Sequence, residues 1–146
     1  MKRKTILAAL FASLYFFVPT PSKAQQQETP VQYKGTSTKF AILLSKAGHY
    51  PVAVSTAESM AIKKNNYAFE IVVMGELAKE LADNKSLLPF IQKAEELGVK
   101  TVVCEQALAF FNTPKAALHP SIQTTANAWI YLFELKDKNY NSLSIQ

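Results

Sequence analysis

Short, nearly unbroken apolar runs recur along this chain, each followed by a stretch with helical spacing, and that alternation constrains the fold more than any other feature. KFAILLS (39–45), AFEIVVM (68–74) and VKTVVC (99–104) are the clearest runs. Such a run reads as a strand covered on both faces, because a strand with one wet face would alternate apolar with polar residues. After the SKAGHY turn, Pro51 stands where a first helical turn tolerates it. Val54, Ala57 and Ala61 then recur at helical spacing until Lys63, Lys64, Asn65 and Asn66 close the segment. ELAKELAD follows Gly75 as a short helix. Ser86 is placed to cap another, with Pro89 in its first turn, Leu87, Leu88, Ile91 and Ala94 on one face, and Gly98 at the left-handed C-terminal position. EQALAFF opens a further helix directly after Cys104.

Beyond the turn-rich NTPKAALHP, SIQTT reads as a fourth strand, ANAWIYLFELKDK as a helix and YNSLSI as a fifth, short strand. Parallel strands need crossovers, and these are usually helical. The order therefore predicts an α/β protein, a three-layer α/β/α sandwich with a mainly parallel five-stranded sheet. WIYLFEL is ambiguous, since aromatic and branched residues also suit a strand. As a helix it is apolar almost all round, at Trp129, Ile130, Leu132, Phe133 and Leu135. One face is expected on the sheet and the other at a contact between subunits, because monomers rarely leave a large apolar patch open.

The amino-terminal segment has a different character. Lys2, Arg3 and Lys4 precede an apolar run from Ile6 to Val18, followed by Pro19, Pro21 and the step Ser22-Lys23-Ala24. This is the pattern of a secretory signal peptide covering residues 1–24. The apolar run is shorter than the roughly 20 residues that span a bilayer. Residues 25–38 are polar and contain a Pro and a Gly, as in a flexible linker, and residues 39–146 form the domain. The expected location is periplasmic or secreted, with no membrane association once the signal is cleaved.

Charge supports that division. The chain carries 16 Lys and Arg against 11 Asp and Glu, a net charge of +5, but residues 1–24 hold four of the cations and none of the acids. The remainder is near neutral and contains no Arg, the side chain best suited to grip phosphate or guanine, so nucleic acid is not an expected partner. A lone Cys excludes an intramolecular disulfide, so the fold must rest on its core.

In an open parallel sheet, ligands gather beyond the carboxyl ends of the strands. Three features fall there: the SKAGHY turn with His49, Gly75 after the second strand, and Cys104 ending the third. Cys104 is the candidate catalytic residue. It directly precedes a helix, whose free N–H groups would favour the thiolate, whereas the neighbouring Glu105 opposes it. The competing reading is a small buried hydrophobe, as most free cysteines are. His49 and His119 are the only imidazoles, and a Cys–His pair would need one of them near the sulfur. With Gly75 they are the candidate substrate-binding residues, although each His also reads as an ordinary surface loop residue. No metal-ligand spacing and no phosphate or dinucleotide signature is present, so neither metal nor cofactor is expected.

KFAILLS, EIVVMGELAKEL and above all ELGVKTVVCEQALAFFNTPKAALHPSIQ together resemble the DsrE/DsrF-like family, small α/β proteins that include sulfur-relay subunits. In that family a passage of Gly-Val, strand, Cys and Ala-Leu helix carries the reactive cysteine, and Cys104 falls on it. KNYNSL resembles the family's C-terminal ending, with Asn139 where a Gly is usual. The resemblance runs from about Lys39 to the C-terminus. It implies a five-stranded parallel sheet, assembly into trimers or hexamers, and a persulfide passed between a sulfur donor and an acceptor protein. The export signal sets this chain apart from the cytosolic relay members. The expected function is thus an exported sulfur carrier or thiol-redox protein acting through Cys104. The alternatives are a non-catalytic oligomeric module that binds a small ligand or exported partner, and a redox sensor.

Overall fold

The computed structural model describes residues 33–145; the expected signal peptide (1–24) and most of the linker (25–38) lie outside them. Strands β1 (Lys39–Leu44), β2 (Ala68–Val73), β3 (Lys100–Cys104), β4 (Gln123–Thr125) and β5 (Asn141–Ile145) form one sheet in the order β4-β3-β2-β1-β5. Every pairing is parallel. The helices are α1 (His49–Ser59), α2 (Ile62–Asn65), α3 (Glu76–Asp83), α4 (Leu88–Leu97), α5 (Glu105–Phe110) and α6 (Ala128–Asp137). None is long and apolar enough to cross a membrane.

Register explains the layers. Phe40, Ile42 and Leu44 lie beside Phe69, Ile71 and Val73 on one face, and these side chains pack with Tyr50, Val54 and Ala57 of α1, Leu77 and Leu81 of α3, and Ile91 and Ala94 of α4. Tyr50 and Thr101 are polar groups in this layer, and each satisfies the other through an Oη to Oγ1 hydrogen bond of 2.9 Å. The opposite face is covered more thinly. Ala41, Leu43, Val72 and Cys104 pack there against Ala128 and Leu135 of α6. WIYLFEL is therefore helical, and its solvent side is apolar: Trp129, Ile130 and Phe133 are all exposed.

Two local readings are corrected. The segment after Pro51 is not one helix up to Asn66. Thr56 Oγ1 and Ser59 Oγ donate to the carbonyls of Val52 and Ser55, hydrogen bonds that compete with the helical ladder. Ala61 then turns left-handed at φ 50° before α2 restarts. The cap before α4 is Asn84, not Ser86: its Oδ1 accepts from the Ser86 N–H at 3.0 Å, opening a 3-10 turn that runs into the helix. Gly98 closes α4 at φ 78° as expected. Asn139 takes φ 63°, a conformation in which Asn is among the best-tolerated side chains.

Candidate functional site

Cys104 ends β3 and forms the N-cap position of α5. It is buried, with 6% of its surface exposed, and lies at the base of a cavity of about 270 Å³. That is just below the roughly 300–1,000 Å³ typical of drug-sized ligands. Three elements build the walls: Met74 and Gly75 at the end of β2, Ala107 and Phe110 on α5 with Phe111 just after it, and Ala128 and Trp129 on α6. Phe110 and Trp129 stand exposed at the rim. Gln106 and Asn127 supply amide groups, joined by a bond of 2.8 Å from Asn127 Nδ2 to Gln106 Oε1. Among the described residues, none of those lining the cavity is charged.

Gly75 is required by its backbone. It holds φ 61° and ψ −151°, a region open essentially to glycine alone, and an added Cβ would meet Ser45 Cβ at 3.2 Å. This sharp turn lets the Leu77 N–H reach the Ser45 carbonyl at 3.0 Å and brings the β2–α3 junction against the cavity.

The sulfur makes no capping bond to α5; Sγ donates instead to the Ala126 carbonyl at 3.9 Å. Glu105, the neighbour expected to oppose a thiolate, is engaged elsewhere. Its carboxylate is ion-paired with Lys115 and accepts from Thr124 Oγ1 at 2.7 Å. Those two partners, Lys115 first, hold its pKa below the usual carboxylate value. The four predicted site residues divide evenly. Cys104 and Gly75 share the cavity, whereas His49 and His119 do not line it. His49 opens α1, with a buried Nδ1 that finds no hydrogen-bond partner among the described residues. His119 Nδ1 is held within its own loop by Ser121 Oγ at 2.8 Å. Among the described residues, no group of three His, Cys, Asp or Glu side chains is placed to hold a metal ion.

A second polar cluster lies on the same sheet face. Register aligns Ala41, Glu70 and Lys100 across β1, β2 and β3. Glu70, 6% exposed, accepts from Tyr131 Oη at 2.6 Å and from Tyr140 Oη at 3.0 Å. Lys100 Nζ donates to Tyr131 Oη at 2.6 Å and stands 3.5 Å from Glu70 Oε2. Sequence reasoning passed over this cluster, although a charged residue inside AFEIVVM was its visible signal.

Burial, and then the bond to Glu70, raise both phenols: Tyr140 is pushed up to about 12, and Tyr131 higher still. A phenol raised in the folded state stabilises the fold fully below its ordinary value near 10, and loses that contribution as pH climbs through its folded value. Stability should therefore fall between about pH 10 and 12, with a shallower fall in Tyr140→Phe. Urea unfolding across that range checks this, and identical pH dependence in the two proteins would contradict it.

No family model and no curated protein matches the sequence. Solved structures do. The chain is similar to the protein of unknown function MTH1491 from Methanobacterium thermoautotrophicum, with a TM-score of 0.63 at 10% identity, over 73% of this chain and 96% of that one. It is also similar to the conserved protein of unknown function BT1422 from Bacteroides thetaiotaomicron, with a TM-score of 0.59 at 20% identity, over 74% of this chain and 95% of that one. At such identities the likeness concerns the α/β fold alone.

Proposed function

We propose that this chain is an exported, DsrE-like sulfur carrier whose working atom is Cys104 Sγ. The observation that carries the reading is the cavity. The chain's single thiol ends an interior strand at the carboxyl edge of a parallel sheet and lines an opening built from three elements. In the forward step the Cys104 thiolate attacks the outer sulfur of a donor persulfide, R–S–SH. The donor S–S bond breaks, R–S⁻ leaves, and Cys104–S–SH forms. An acceptor thiolate then attacks that outer sulfur and regenerates the Cys104 thiolate, so no external oxidant or reductant is consumed. Uncharged walls suit a small neutral sulfur species or an apolar protein segment over a charged peptide thiol, which would lose hydration without gaining a partner.

The test is incubation of the folded protein with a small persulfide donor whose organic group is uncharged, followed by intact-mass measurement. The expected result is a gain of one or more sulfur atoms on Cys104. The same uncharged walls favour the second reading, a non-catalytic module that binds a small apolar ligand. A Cys104 inert to that donor and to a small alkylating reagent until the chain is unfolded would select that reading.

The outer face of α6, with Trp129, Ile130 and Phe133 exposed, goes with either reading as a contact between copies of the chain. Light scattering should find an oligomer at micromolar concentration, and a monomer would remove this element of the proposal.

A further inference from the structure

The cluster around Glu70 has no part in the chemistry proposed for Cys104, yet both involve the same helix. α6 carries Ala128 and Trp129 at the cavity and, one turn on from Ala128, Tyr131 at Glu70. Only Ala128 and Leu135 of this helix are fully buried, whereas α1 on the opposite face buries four residues. An alanine contributes little apolar area, so Leu135 is the main hydrophobic anchor of α6. Polar bonds supply the remaining attachment. Glu70 receives two hydroxyl hydrogen bonds, one from within α6 and one from Tyr140 just beyond its C-terminal end. Lys100 bridges the carboxylate and the Tyr131 hydroxyl. On the far side, Lys39 Nζ donates to the Lys138 carbonyl at 3.2 Å and lies 5.8 Å from the centre of the Tyr140 ring. These groups come from β1, β2, β3, α6 and the α6–β5 turn, so the cluster ties one helix to three strands.

From this arrangement we infer that Glu70 is a positioning residue that sets how closely α6 sits on the sheet, and thereby how far Cys104 is covered. The carboxylate makes no contact with the cavity and acts only through the helix. Hydrogen bonds to a charged acceptor are stronger than neutral ones, and they are directional, so they fix the helix's height where two apolar side chains would leave it free to slide. Loosening the cluster lifts the Ala128 wall from Cys104 and widens the opening. This holds whether Cys104 transfers sulfur or merely borders a binding pocket, so its test is independent of the proposed function.

The test compares two uncharged thiol reagents, small iodoacetamide and bulky pyrene maleimide, each rate being divided by its rate on the urea-unfolded chain. In Glu70→Gln the side chain keeps its shape but loses its charge and one acceptor oxygen. The normalised rate of the bulky reagent is expected to rise about tenfold or more over the wild-type protein, with a clearly smaller rise for the small one. Global unfolding would raise both normalised rates by one common factor. Tyr131→Phe, which leaves Glu70 bonded to Tyr140 and paired with Lys100, should move the ratio in the same direction by less, and it serves alone if Glu70→Gln does not fold. Ile91→Val, in the opposite layer, should leave the ratio unchanged. An unchanged ratio in both cluster variants, or an equal change in Ile91→Val, would overturn the inference.

Discussion

Cys104→Ala should lose all persulfide loading and all transfer to an acceptor thiol, not a fraction of either. The reason is arithmetic as much as chemical: the chain contains one cysteine, so no second thiol can take over the sulfur or resolve the persulfide into an internal disulfide. Loss of folding would not be the cause. Replacing the buried CH2–SH side chain by a methyl group removes one sulfur atom beside an existing cavity, at a cost of about 1 kcal/mol. Neighbours such as Val103 and Leu108 stay packed in the opposite layer. Thermal unfolding and mass spectrometry of the same sample separate the two effects. Residual loading in a well-folded variant would show that sulfur adds elsewhere, and would remove Cys104 from the proposal.

The largest expected effect on stability comes from Leu135→Ala. Leu135 is 2% exposed and is the one large, fully buried side chain of α6. Truncating a buried leucine costs about 2–5 kcal/mol, through lost transfer energy and the cavity left behind. In a domain of this size that lowers Tm by roughly 10–20 °C. The location makes the prediction sharper than the magnitude. α6 is the helix that covers Ala41, Leu43 and Val72, so the weakened contact should open locally before the sheet does. Hydrogen exchange should speed up in Ala128–Asp137 more than in β1 and β2. Ile91→Ala, in a layer that several helices share, should instead loosen its surroundings more evenly. Equal acceleration along the whole chain in Leu135→Ala would refute the view of α6 as a separately held cover.

The strands were legible because their chemistry is local. KFAILLS and VKTVVC are apolar over Phe40–Leu44 and Val102–Cys104, the density expected of strands sheltered on both faces. Gly98 and Pro89 announced the ends of α4 for equally local reasons. Where α1 stops was not visible, since the left-handed turn that breaks it falls on Ala61, a residue that fits the helical spacing and carries no turn signal. The site divides in the same way. Cys104 and Gly75 follow from the rule that binding residues cluster at strand ends, and they do share a cavity. Trp129 and Asn127 join them only because the start of α6 comes back beside Cys104, a long-range relation that no spacing encodes, whereas Phe110 lies on α5, the helix that Cys104 itself opens. Glu70 is the intermediate case. Its charge within an apolar strand was a visible signal that the sequence reading passed over, and its partners Tyr131 and Tyr140 lie 61 and 70 residues away in sequence.

The most direct test of the central claim follows labelled sulfur through the protein. Folded protein is mixed in substoichiometric amount with a small uncharged persulfide donor and an acceptor thiol, and the label is followed by mass spectrometry. The account predicts a transient Cys104 persulfide that forms and decays fast enough to carry the label to the acceptor, and no such species in Cys104→Ala. It would be contradicted if Cys104 remained an unmodified thiol throughout in the folded protein, while the unfolded chain took up sulfur under the same conditions.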